Sequence, residues 1–324
     1  MNAEQQVAVV TGANSGVGLA IARQLLLLSP HSPTLVLACR NEKRGARARA
    51  HLLQDFPSAD IRLIELDTSN VLSVQTAARE ITSLGRLDLL FCNAGAMAIK
   101  SLNILGIIRG LTHPIAFFES SEALVQQQGL VTPDGLGQTF QTNVFGHYLL
   151  VHKLLPVLSR AKGRVIWTGS SASQLEFSQL DYMHIHGLKP YESSKYIVDQ
   201  ISQKMDERLR QKGVRCFVGE PGNVCTSFLA NIGVPVLQML IVVVFYLMRI
   251  CGLQRFTIDA QCASTAFIYL AFARDEEVDA SQKYYSCASR WGHSSVVRAP
   301  LECCTKDADF LISKLDALVD RFDQ

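Results

Sequence analysis

The chain has 324 residues, 48% of them hydrophobic and 19% charged, with a formal net charge of +2. A chain of this length and composition buries an ample core, which excludes a disordered or collagen-like protein. The near-neutral balance, without a long basic block, argues against a dedicated nucleic-acid surface.

In chain order, the first apolar run is "VAVVTG" (7–12), a strand candidate that leads straight into "TGANSGVG" (11–18). Nothing before it combines a basic stretch with an apolar one, so no cleaved signal is expected. Gly12, Gly16 and Gly18, with Asn14, Ser15 and Val17 between them, lie where that strand turns into a helix (16–29). Glycines there let the backbone turn tightly and approach a pyrophosphate, which the helix amino terminus attracts. A second strand, "TLVLACR" (34–40), ends at Cys39 and Arg40. A carboxylate at this point would bind a ribose 2′-hydroxyl, but a guanidinium suits a 2′-phosphate. NADPH is therefore the expected cofactor, with Asn41, Lys43 and Arg44 as helpers, while Arg47 and Arg49 read as the solvated face of a helix over 42–56.

The third strand, "DIRLIELD" (60–67), ends at Asp67, placed to accept from an adenine amino group. A helix over 70–84 follows. The fourth strand, "LDLLFCNAG" (87–95), ends in Asn93 and Gly95, small enough for a cofactor to lie against the sheet. Residues 96–134 form a long insertion, of a length that is usually functional or structured in its own right. Beyond it come a helix (135–160), a strand "GRVIWTGSS" (163–171), a helix (191–212), a strand "VRCFVGEPG" (214–222), a helix (257–274), a strand "KYYSCAS" (283–289) and a last helix (306–322). Apolar strands alternating with helices predict one α/β domain over 1–324, a Rossmann-type doubly wound parallel sheet with ligands at the carboxyl ends of its strands. Nine scattered cysteines without a CxxC pair read as buried reduced thiols. His184 and His186 lack partners at zinc spacing, so no metal site is expected.

Two features of the second half carry chemistry. A free phenol has a pKa near ~10, and a cation ~4 Å away at an effective dielectric of ~20 favours its ionised form by ~4 kcal/mol before desolvation opposes it. Tyr191 and Lys195 stand four apart on a helix and so share a face, whereas Tyr196 points elsewhere. Tyr191 is the predicted acid–base residue and Tyr196 a packing residue. The second feature is the apolar stretch 232–253. Pro235, Gln238 and Arg249 interrupt it, and a full crossing would strip the sheet of its last strand and helix. It is expected to lie in one leaflet of a membrane and line the mouth of the substrate pocket; a buried core or dimer helix is the alternative.

The ordered set "TGANSGVG", "NAG" (93–95), Asn143, "SS" (170–171), "YESSK" (191–195) and "PGNVCT" (221–226) resembles the short-chain dehydrogenase/reductase family over about residues 5–290. More narrowly, "LACRN" (37–41), "NVFGHY" (143–148), "VIWTGSS" (165–171) and "KPYESSKY" (189–196) are similar to the 3-keto-steroid reductases of sterol biosynthesis, the 17β-hydroxysteroid dehydrogenase type 7 class. The resemblance implies an NADPH-dependent reductase of a 3-keto-sterol, working after C4 demethylation at the endoplasmic reticulum membrane, with a homodimer left open. In it Tyr191 protonates the developing alkoxide, Lys195 binds the nicotinamide ribose, and Asn143 holds a water that links Lys195 to solvent. Val224 and Thr226 hold the carboxamide. The family pattern favours Ser171 as the contact to the carbonyl oxygen; counting back from Tyr191 gives Ser178, and both stand. Glu220 departs from the family, which has a small or neutral residue before "PG", and so puts a charge near the nicotinamide pocket. Another lipophilic carbonyl, such as a 17-ketosteroid or retinoid, remains an alternative substrate, since 96–134 and 223–256 set that choice. An idle NADP-binding scaffold is the alternative outside catalysis.

Overall fold

The computed structural model describes residues 5–29, 32–103, 105–106, 124–173, 178–224 and 235–323. Strand β1 (Val7–Thr11) is buried along its whole length and pairs in parallel with β2 (Thr34–Cys39) on one side and β4 (Leu89–Cys92) on the other. β2 continues to β3 (Ile61–Glu65), and β4 to β7 (Arg164–Thr168), β8 (Arg215–Glu220) and β9 (Gln282–Ala288), all in parallel. With β10 (Ser294–Pro300) beyond β9, the eight-stranded order is β10-β9-β8-β7-β4-β1-β2-β3. The order reverses between β1 and β4.

Alternation along β1 shows why the sheet needs cover on both faces. Val7 and Val9 join the core beneath helices α3 (Val71–Thr82), α4 (Gly146–Ala161), α5 (Pro190–Leu209) and α8 (Thr305–Phe322). Ala8 and Val10 join the opposite core, under α1 (Gly16–Leu28), α2 (Glu42–Asp55) and α7 (Thr265–Phe272). Successive side chains point to opposite faces, so a strand buried on both sides is apolar at nearly every position.

Two elements differ from expectation, and the insertion carries structure of its own as expected. The last strand, β10 (Ser294–Pro300), runs antiparallel to β9 and closes the sheet's edge. Its mostly exposed "SSVVRAP" lacks the apolar run of the inner strands, and a terminal proline suits an edge. In place of one unbroken helix over 135–160, a helical turn (Gln138–Phe140) passes into a π turn (Gln141–Phe145) before α4. The insertion contains an antiparallel pair, β5 (Ile99–Leu102) and β6 (Leu124–Gln126), while residues 107–123 lie outside the described ones.

In the apolar segment 232–253, helix α6 (Pro235–Ile250) has 16 residues, about 24 Å at ~1.5 Å per residue. No helix among the described residues is long and apolar enough to cross a membrane. Phe245 is buried against Phe256 with ring centroids 5.1 Å apart, while Met239, Val243, Tyr246, Leu247 and Ile250 are exposed.

Candidate active site

The carboxyl ends of β1 and β4 meet at the reversal of strand order, where an open α/β sheet binds its ligand. The turn from β1 to α1 uses left-handed backbone at Gly12 (φ 67°) and Gly16 (φ 57°), which favours glycine. Gly18 serves a different need: a Cβ there would stand 2.5 Å from both Asn93 Nδ2 and the Gly12 carbonyl oxygen. Ser15 precedes α1 in extended backbone, and its hydroxyl does not cap the helix. The first-turn N–H groups and the positive end of the helix dipole therefore face the turn, flanked by half-buried Asn14 and Val17. This cradle fits a pyrophosphate.

Around it, Arg40 is exposed just past β2, with Lys43 and Arg44 also exposed. Asn41 is committed elsewhere: its Oδ1 accepts the Arg44 N–H at 2.9 Å and caps α2. Asp67 lies two residues past β3, and its Oδ1 accepts from the Ser69 N–H (2.9 Å) and hydroxyl (2.6 Å). Asn93 donates from its backbone N–H to Thr11 Oγ1 (2.9 Å) and from Nδ2 to the Thr11 carbonyl (2.8 Å). Gly95 lies against Asn143, whose Oδ1 would be 3.3 Å from a Cβ there. Thr11 escapes sequence reasoning because it reads as an ordinary strand residue. Its Oγ1 also takes the Ala94 N–H and stands 2.9 Å from Nε2 of buried His147, so it ties β1 to β4 and α4.

Tyr191 occupies the first turn of α5, after Pro190 at the helix start, a position where proline's missing N–H costs nothing. Its backbone N–H donates to Gln126 Oε1 at 2.9 Å, and Gln126 Nε2 donates to the buried Glu192 carboxylate. Gln126 sits on β6, so the insertion grips the first turn of the helix that bears the tyrosine. Lys195 lies one turn on, with Nζ 5.6 Å from the Tyr191 ring centroid and donating to the Thr168 carbonyl at 2.8 Å. Burial pushes the Tyr191 phenol up to about 12, opposed by the nearby Ser170 hydroxyl and reinforced by the Glu192 and Glu220 carboxylates. The Lys195 ammonium is pulled down to about 8, chiefly by burial, with Asp199 opposing and Lys283 adding to the fall. The expected depression of the phenol is absent: burial outweighs the cations near it.

The serines divide. The Ser170 hydroxyl accepts the Ala172 N–H at 3.1 Å and lies near enough to Tyr191 to pull its phenol down, while the Ser171 hydroxyl acts in the same sense on the buried Glu220 carboxyl. Ser178 is exposed. Asn143, on the π turn, accepts the Ala96 N–H at Oδ1 (2.8 Å) and donates from Nδ2 to the Ala96 carbonyl (3.0 Å) and Ser194 Oγ (2.9 Å). Both of its side-chain N–H groups are thus spent on the protein, which leaves a water only an acceptor to meet. Val224 is half-buried and bridges Ile258, while Thr226 lies outside the described residues.

Residues 6–234 match the short chain dehydrogenase family. The chain is 32% identical over 317 residues to the Homo sapiens protein named 3-keto-steroid reductase/17-beta-hydroxysteroid dehydrogenase 7, covering 96% of this chain and 92% of that one. The Rattus norvegicus protein of the same name is 34% identical over 298 residues, covering 90% and 89%. Among solved structures, an NADPH-bound carbonyl reductase from chicken fatty liver aligns with a TM-score of 0.57 at 18% identity over 90% of this chain and 98% of that one. With the family match spanning more than half of its length, the chain belongs to the short-chain dehydrogenase/reductase family and is an oxidoreductase of the alcohol–ketone couple.

Proposed function

We propose that the chain is an NADPH-dependent 3-keto-steroid reductase of sterol biosynthesis, which turns the 3-ketone left after C4 demethylation into a hydroxyl. The observation that carries the reading is Tyr191 one helical turn from Lys195, whose ammonium lies 5.6 Å from the ring centroid and is anchored to the Thr168 carbonyl at the carboxyl end of the sheet. Its similarity across nearly the whole chain to the human and rat proteins supports the substrate class.

Bound in this site, the reduced nicotinamide supplies hydride to the ketone carbon. The Gly12–Gly18 turn, with Asn14, Ser15 and Val17, would hold the pyrophosphate, and Arg40 would receive the 2′-phosphate. Asp67 would accept from the adenine amino group, and Asn93 and Gly95 would let the cofactor lie against the sheet. The Val224 backbone and Thr226 would hold the carboxamide. Reduction needs a loaded proton donor, and a phenol pushed up to about 12 is fully protonated at pH 7. Tyr191 hands its proton to the oxygen as the carbonyl becomes an alkoxide, which leaves a phenolate behind. Lys195, buried and cationic below about 8, stabilises the same charge and meets the nicotinamide ribose. Asn143 locks the π turn against Ala96 and α5, and so holds the helix that carries Tyr191 and Lys195.

The exposed stripe Met239, Val243, Leu247 and Ile250 recurs at helical spacing along α6. It supports a segment that lies in one leaflet of the endoplasmic reticulum membrane and passes the lipid substrate to the site. The test is oxidation of NADPH by the purified chain with a 3-keto-sterol, beside a panel of 17-ketosteroids and retinals. Turnover with the 3-keto-sterol that Tyr191→Phe abolishes, while NADPH still binds, is the expected result. Preference for another panel member would reassign the substrate, and full activity in Tyr191→Phe would remove the mechanism.

A further inference from the structure

Helix α5 begins without a cap of its own. Lys189, at its N-cap, makes no side-chain cap hydrogen bond, and Pro190 has no N–H to offer. The first N–H group of the helix that needs a partner is therefore that of Tyr191 itself. The partner comes from 65 residues upstream: Gln126 Oε1, on β6 of the insertion, accepts it at 2.9 Å. The other end of the same amide, Nε2, donates to the Glu192 carboxylate. Gln126 is 4% exposed and Glu192 1% exposed, so water does not stand in for either.

These demands suit an amide. A carboxylate at position 126 would have no donor for Glu192, an ammonium no acceptor for the Tyr191 N–H, and an asparagine would be one methylene short. The Tyr191 carbonyl is held as well. It accepts the Ser194 hydroxyl at 2.6 Å, Ser194 Oγ accepts from Asn143 Nδ2 at 2.9 Å, and Asn143 is fixed through both side-chain polar atoms to the Ala96 backbone. Ala96 leads into β5 and Gln126 stands on β6, so the two legs of one hairpin reach the carbonyl and the N–H of the same residue. Helix ends fray, and a misplacement of about 1 Å costs a reaction on the order of a hundredfold.

We infer that Gln126 is a positioning residue, through which the β5–β6 hairpin caps α5 from outside the helix and fixes where Tyr191 stands. The inference rests on the ketone-reductase reading for its kinetic consequence and on the hydrogen bonds alone for its structural one. The insertion thereby aims the proton donor, a role separate from the substrate choice expected of it.

The test uses the whole chain and two readouts. One is hydrogen exchange of the Tyr191 amide in 15N-tyrosine-labelled protein, assigned by its loss in Tyr191→Phe, with the other tyrosines as internal controls. The other is kcat and KM for the 3-keto-sterol, with NADPH affinity followed by its fluorescence. Gln126→Leu is expected to speed Tyr191 exchange at least about tenfold and to lower kcat about tenfold or more, with NADPH affinity and the other tyrosine amides within about twofold of wild type. Gln126→Glu should lower kcat likewise, because it sets a carboxylate against that of Glu192. Combining it with Glu192→Gln places a donor opposite an acceptor again and should return kcat and exchange to within about threefold of wild type, which a merely packed residue would not do. That pair decides the matter if Gln126→Leu does not fold. Tyr191 exchange or kcat unmoved in a folded Gln126→Leu protein, or a pair no better than Gln126→Glu alone, overturns the inference. If the wild type reduces no ketone, the proposed function fails while Tyr191 exchange still decides this point.

Discussion

Tyr191 and Lys195 titrate in opposite directions, and both shifts trace first to burial. Removing a charge-bearing group from water disfavours its charged form, which raises a phenol and lowers an ammonium. Lys195 is cationic below about 8 and neutral above, so reduction that relies on its charge should decline as pH rises through that value. A kcat profile from pH 6 to 10 with a single descending limb near 8 is expected, and Lys195→Met should remove the limb along with most of the activity. A profile flat to pH 10 would mean that the ammonium is not needed. The YxxxK spacing makes this pair legible from sequence, yet the sign of the tyrosine's shift is not. That sign depends on how much water the fold removes, which no spacing reports. Lys283 is hidden for a similar reason: within "KYYSCAS" it reads as the polar end of a strand, and its partner Asp199 lies 84 residues away.

At the scale of elements, close backbone approach explains which glycines the fold requires. A Cβ on Gly146, at the start of α4, would sit 2.1 Å from the Thr68 carbonyl oxygen, so the helix can pack there only without a side chain. Gly146→Ala should cost about 2 kcal/mol or more of stability, read as a lower urea midpoint at constant slope. Gly18→Ala meets Asn93 and the Gly12 carbonyl instead, in the turn where we propose that the pyrophosphate sits. It should weaken NADPH binding at least about tenfold, as titrated by cofactor fluorescence, in protein that remains folded. The parallel strands are readable because double burial writes itself as an apolar run. The π turn is not, because the apolar pattern over 135–160 reads as one helix and the contact of Asn143 with Ala96 lies far away in sequence, and β10 is not, because an exposed edge carries no such run. For α6, Val243→Asp with Leu247→Asp places two charges on the exposed stripe. Flotation with phospholipid vesicles should fall several-fold in that variant, and unchanged flotation would place the membrane contact elsewhere.

For the whole molecule, one arrangement joins these scales. The strand order reverses at β1 and β4, which sets a dinucleotide cradle beside the end of β7, and α5 lays Tyr191 and Lys195 across that end. The insertion reaches the same helix through Gln126, and β9 reaches the β7 turn through Lys283. The insertion and β9, distant in sequence, thus both brace the elements that flank one phenol. The central claim is that this phenol delivers a proton to a 3-ketone as hydride arrives from NADPH. The most direct measurement is a single turnover with NADPH deuterated on the transferable side of C4, followed by mass spectrometry of the sterol. The account predicts a 3-hydroxysterol carrying one deuterium at C3 with the wild type and none formed by Tyr191→Phe. Recovery of unreduced ketone from the wild type, or labelled alcohol at an equal rate from Tyr191→Phe, would contradict it.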